Sequence, residues 1–236
     1  MIANFSRENL KDDRFSILKD FESNSDVLFL CFSGMGLGGM IPPFEFSGML
    51  RNYDIKKIFV RDIQNYSFHN GLKGLTKNVD ETGALLKEIV EESGAKRVVS
   101  IGNCQGGLGA IMFGGMAGAH KVLAFAPLTF LDRKNKDYFQ ETRWPEAFER
   151  FYKLVDVQFE YFDLLNVPQI DEPETFVYYD VDYTLDRNHS ERLDVLPNVQ
   201  LFTYHGGEHM LIKNLKKSGE LEKLLNRFAE QPARYL

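Results

Sequence analysis

The chain has 236 residues, 44% hydrophobic, 13% aromatic and 26% charged, with a formal net charge of -6. That apolar content can bury a sizeable core and excludes disordered, collagen-like and repeat architectures, while the acidic balance argues against non-specific nucleic-acid or anionic-membrane binding. Its two cysteines make no disulfide framework, so a reducing, cytoplasmic compartment is expected.

The stretch from Met1 to Asp26 is polar and mixed in charge, with no apolar signal core, and no apolar run in the chain approaches a membrane span. Asp26 to Phe32 reads as a strand ended by Ser33-Gly34, and Ile55 to Val60 as a second ended by Arg61-Asp62. Asn78 to Ser93 has helical spacing, because Val79, Leu85, Leu86, Ile89 and Val90 share one face, with Gly94 as the stop. Lys96 to Ile101 is a third strand, followed by a helix from Gln105 to about Gly118. Val122 to Ala126 is a fourth, closed by Pro127. From about 131 to 173 no strand is evident and aromatics are dense. There Trp144, Phe148, Phe151 and Val155 follow helical spacing, with Pro145 at the first turn, as either an ordinary core helix or a substrate-facing lid. Thr175 to Tyr179 and Val199 to Tyr204 are the fifth and sixth strands, and His209 to Ala229 is a helix. Strands that are apolar almost throughout belong to a mostly parallel sheet covered on both faces. The expected architecture is one three-layer α/β domain over 1–236 with a helical insertion.

The most informative stretch is Gly102-Asn103-Cys104-Gln105-Gly106-Gly107, set where a strand must turn abruptly into a helix. The pattern is G-x-C-x-G, the nucleophile elbow G-x-S-x-G with sulfur in place of oxygen. Its glycines let helix and strand approach where a β-carbon would clash. The helix N-terminus favours a thiolate, and the Gln105 N–H would point at a developing oxyanion. The alternative is a buried cysteine in a glycine-rich turn.

The elbow, strand order and long insert resemble the α/β-hydrolase superfamily. More narrowly, five segments resemble a bacterial group of small hydrolase-like proteins associated with surface-glycan and acyl-transfer enzymes. They are Phe59-Val60-Arg61-Asp62, Asn70-Gly71-Leu72, the elbow, Leu123 to Pro127 with Thr129-Phe130, and Asp186 to Leu193. That group usually has Ser at the elbow, where Cys104 stands here, and often Trp-Tyr where Ser67-Phe68 stand. Cysteine nucleophiles in this fold resemble those of dienelactone hydrolases and some thioesterase-like cyclases. The resemblance implies a three-layer fold and an acyl hydrolase of esterase or thioesterase type with a Cys-His-Asp triad. Its alternatives are an acyltransferase or cyclase with the same triad, or a non-catalytic binding module. No cofactor is implied, and the partner is a small-molecule or carrier-bound acyl substrate.

The fold's chain order is nucleophile, acid, histidine. His209, after the last strand, resembles the family base, with His205 a weaker alternative. The acid follows the fifth strand: Asp186 matches the family run, and Asp182 sits soon after the strand end. A second oxyanion donor is expected from the loop after the first strand, the N–H of Met35 or Gly34. Arg61 or His69 could recognise an acidic substrate group, although Arg61-Asp62 equally reads as an ion pair holding loops. His189 reads as a helix-start residue and Cys31 as core. A metal site on His205 and His209 is disfavoured, since Gly206-Gly207 opposes a helix there. Gly34-x-Gly36-x-x-Gly39 followed by Asp62 spells a dinucleotide fingerprint, but Pro42-Pro43 is a poor opening for the helix it needs.

Overall fold

The computed structural model describes residues 1–35, 43–154 and 157–230. Among these residues eight strands, β1 (Ile2–Asn4), β2 (Ile17–Asp20), β3 (Val27–Phe32), β4 (Lys56–Val60), β5 (Arg97–Asn103), β6 (Lys121–Phe125), β7 (Glu174–Asp180) and β8 (Val199–Tyr204), form one sheet in the order β1-β2-β4-β3-β5-β6-β7-β8. All pairs are parallel except β2 against β4.

Alternation along β3 explains the layering. Leu28, Leu30 and Phe32 enter one core with Leu86 and Ile89 of α2 (Val79–Glu92) and Leu108, Ile111 and Met112 of α3 (Gln105–Met116). Val27, Phe29 and Cys31 enter the other, with Leu50, Leu211, Leu215, Leu221, Leu225 and Phe228. A parallel strand buried on both faces has no polar face, hence the unbroken apolar run.

Two differences from the sequence reading concern short elements. β1 and β2 were not expected, because three or four residues carry no measurable period; β2 forms by pairing with the outer side of β4. The C-terminal helix is two helices, α7 (Leu211–Lys217) and α8 (Glu220–Glu230), after a 3-10 turn at Glu208–Met210. Gly219 parts them at φ 76°, a left-handed helix end open to glycine at little cost. The other α-helices among the described residues are α1 (Ser47–Leu50), α4 (Arg133–Tyr138), α5 (Pro145–Phe151) and α6 (Thr184–Glu191). Pro145 opens α5, while Val155 of the expected stripe lies outside the described residues. No helix among the described residues is long and apolar enough to cross a membrane.

Candidate active site

β5 ends at Asn103 and α3 begins at Gln105, so Cys104 alone makes the turn, at φ 57° and ψ -119°. A non-glycine residue is strained there and persists only when its surroundings over-determine it. Here the Cys104 N–H donates to Phe125 O at 2.9 Å, and its carbonyl accepts from Leu108 and Leu128 N–H at 3.1 and 3.2 Å. The elbow glycines are required by contact. A β-carbon on Gly102 would lie 1.9 Å from Gly106 O, and one on Gly106 would lie 2.4 Å from Phe32 O.

His209 is brought to Cys104 from the far end of the chain. The Asp180 carboxylate, at the end of β7, accepts the Gly207 and Glu208 N–H at 2.5 and 2.6 Å and pins the turn that carries it. His209 Nδ1 lies 2.9 and 3.0 Å from the two carboxylate oxygens of Asp186. Burial opposes charge on the imidazole, but hydrogen bonds to Asp186 and to Cys104 outweigh it and push its pKa up to about 10. Asp186, in the first turn of α6, is fully buried. Asp182 is elsewhere: it forms an exposed pair with His205 at 2.8 Å. The alternative acid is thus spent on the alternative histidine, because four residues of further chain let α6 turn Asp186 inward. Among the described residues, no group of His, Cys, Asp or Glu is gathered to hold a metal ion.

Sequence reasoning missed Arg143 and Glu141, from the segment before α5. Arg143 Nη1 donates to Asp186 Oδ1 at 2.5 Å and lies 3.1 Å from His209 Nδ1, so both donors converge on one carboxylate. Its Nη2 donates to Glu141 Oε2 at 2.6 Å. Glu141 also accepts from His189 Nε2 at 3.1 Å, whose Nδ1 accepts the Thr129 N–H at 3.0 Å. That pairing selects the Nε2–H tautomer of His189. His189, expected as a helix-start residue, instead lies in the last turn of α6, and is a fully buried member of the charge network behind His209. No local pattern marks an Arg in an irregular segment as a partner of residue 186.

The other expected site residues separate. As first residue of α3, Gln105 has an N–H with no intrahelical acceptor. Met35 lines the cavity beside Cys104. Gly34 does not offer a free donor: its N–H donates to Glu45 Oε2 at 3.0 Å. Arg61 is a structural tie, with Nε donating to Phe15 O at 2.8 Å, Nη2 to Asp12 O at 2.5 Å, and the guanidinium over the Phe44 ring. Those contacts hold the N-terminal segment to the sheet, and Arg61 is absent from the cavity wall. Asp62 accepts from the N–H groups of Gln64, Tyr66 and Phe68, which staples its own loop instead of pairing with Arg61. His69 is fully buried, 2.8 Å from Ser67 O and 3.0 Å from Tyr161 O. It joins loops and is absent from the cavity wall. Of the dinucleotide pattern, Gly36, Gly39 and Pro42 lie outside the described residues.

A cavity of about 420 Å³ opens onto Cys104 and His209. Met35, Phe44, Phe46, Met49, Trp144 and Leu221 supply apolar walls, Glu45 and Asn103 polar ones, and Lys213 and Lys216 also line it. Trp144 comes from the inserted segment and meets the His209 ring at 5.2 Å, so that segment reaches the site, as a substrate-facing lid would.

No family model matches the chain, and no curated protein does. Solved structures do. The capsule O-acetyltransferase of Neisseria meningitidis serogroup A is 14% identical, with a TM-score of 0.65 over 89% of this chain and 90% of that one. A glycosylation-associated protein complex from Streptococcus agalactiae is 15% identical at TM-score 0.62, over 93% of this chain and 45% of that one. A fluorophosphonate-binding serine hydrolase of Staphylococcus aureus is 11% identical at 0.57, over 89% and 85%. The chain has the three-layer α/β-hydrolase fold, with a mostly parallel sheet.

Proposed function

We propose that the protein is an acyl hydrolase of esterase or thioesterase type that works through a thioester on Cys104. Transfer of the acyl group to a second nucleophile is the reading beside it. The observation that carries this is the line of contacts from Asp186 through His209 to Cys104, on a strained bend that faces a cavity. We read 1–236 as one domain in which the segment from 131 to 173 is the lid.

Asp186, held by Arg143, keeps the Nδ1–H tautomer of His209 and leaves Nε2 toward the sulfur. His209 takes the thiol proton. The thiolate adds to the carbonyl carbon of the substrate, and the carbonyl π electrons move onto oxygen. The N–H groups of Gln105 and Met35 are our candidates to hold that oxyanion. Collapse expels the alkoxide or thiolate, which leaves with the proton from His209. Water then gives a proton to His209 and adds to the thioester, and a second collapse releases the acid and Cys104. The apolar walls suit an acyl chain, and the lysines suit an anionic carrier or headgroup. Transfer to a hydroxyl is favoured as second reading by the fold shared with a capsule O-acetyltransferase.

Intact-protein mass spectrometry after incubation with aryl esters and acyl thioesters tests the reading. An acyl mass on Cys104, absent in Cys104→Ala, is expected. Turnover undiminished in Cys104→Ala, or an adduct confined to another residue, would overturn it and favour a binding module.

A further inference from the structure

Two polar side chains in the cavity wall have no part in this scheme. Glu45 lies between β3 and α1, its N–H donating to Ser33 Oγ at 3.0 Å. Its Oε2 accepts the Gly34 N–H at 3.0 Å, and its Oε1 faces Asn103 Nδ2 at 3.5 Å. Among the described residues no cation is paired with it: burial pushes its pKa up to about 7, against the pull of those two bonds. Asn103 immediately precedes Cys104, is 7% exposed, and its Oδ1 is buried with no hydrogen-bond partner. Glu45 and Asn103 are thus neighbours in the wall that also carries Cys104, the first with carboxylate lone pairs and the second with a buried amide oxygen, in walls that are otherwise mostly apolar. Leaving buried acceptors unpaired is costly, and a site so built selects a ligand that brings the missing donor.

We propose that Glu45 is the general base for the acyl acceptor, taking the O–H or N–H of an alcohol or primary amine at its carboxylate, beside Asn103. This rests on the acyl-transfer reading and names the substrate of its second half. The acceptor's proton passes to Glu45 while its lone pair bonds to the carbonyl carbon of the Cys104 thioester. The carbonyl π electrons move onto oxygen and return as the C–S bond breaks. The products are an ester or amide and the Cys104 sulfur, to which the proton on Glu45 passes by way of solvent. His209, having given its proton to the leaving group, serves water in the hydrolytic branch, and Glu45 serves the seated alcohol or amine. A carboxyl whose pKa burial pushes up to about 7 suits a general base at neutral pH.

The test uses p-nitrophenyl acetate as acyl donor, with glycerol, propylamine or water alone as acceptor. The p-nitrophenol burst reports acylation, and the product ratio reports transfer against hydrolysis. In Glu45→Gln, which can keep the Gly34 bond but takes no proton, the transfer ratio is expected to fall about a hundredfold. The glycerol and propylamine arms tell alcohol from amine. A ratio within about twofold of wild type, on an intact burst, overturns the role of Glu45. Loss of the burst in Glu45→Gln alone overturns it too, by placing Glu45 in acylation. No burst in the wild-type protein overturns the acyl-transfer reading itself, and this proposal with it.

Discussion

Arg143→Met removes a cation shared by two buried carboxylates. Arg143 is 10% exposed at its side chain, and Glu141 and Asp186 are each 1% exposed. Breaking such a pair from one side strands charge in a low-dielectric interior and costs about 3–5 kcal/mol. A second route gives a similar figure. Burial alone would push the Glu141 carboxyl up, but bonds to His189 and Arg143 hold it down to about 2 against an ordinary 4.5. At about 1.4 kcal/mol per decade that is about 3 kcal/mol, shared by the two partners. A chain of this size loses about 2–4 °C of Tm per kcal/mol, so the variant is expected to melt roughly 6–20 °C lower at pH 7. The sign of the pH dependence follows. A depressed carboxyl stabilises above its ordinary pKa and loses that contribution as pH falls from 4.5 toward about 2. The gap between variant and wild type should therefore narrow over that window in denaturant titrations. Arg143→Lys should lie between them, since an ammonium cannot fork onto both carboxylates. A Tm loss under about 2 °C at pH 7, or a gap independent of pH, would refute the reasoning.

Asp186→Asn should slow acylation of Cys104 by about 10²–10⁴, while Asp182→Asn, altering an exposed pair, should leave burst kinetics unchanged. Equal effects in stopped-flow bursts would put the acid elsewhere. Gly106→Ala places a β-carbon 2.4 Å from the Phe32 carbonyl, and should cost at least about 1–3 kcal/mol in calorimetry and reduce iodoacetamide labelling of Cys104. A neutral result would mean the elbow relaxes freely. The raised pKa of His209 stabilises the fold fully below its ordinary 6.5 and less as pH rises toward about 10. The advantage of wild type over His209→Gln in urea titrations should shrink across that range, and a constant advantage would deny the pairing.

Much of the fold was legible because its signals are local. An apolar run of six residues, a glycine two places either side of Cys104, and a histidine just past the last strand each depend on neighbours a few positions away. The triad candidates Cys104 and His209 were readable for that reason, as was the turn they needed. Asp186 and Asp182 were both left open, because each follows β7 by a few residues and only α6 decides which faces inward.

Sequence by itself determined the six strands β3 to β8, the mostly parallel sheet, the elbow and the cysteine at its apex, since steric fit and hydrophobic period act between residues close in the chain. Tertiary structure alone decided the partnerships: Arg143 with Asp186, Glu141 with His189, Glu45 with Gly34 and Asn103, Arg61 with the N-terminal segment. These join residues brought within hydrogen-bond reach only after the sheet has formed. Their strength comes from burial, a property of the assembled layers that no stretch of sequence carries.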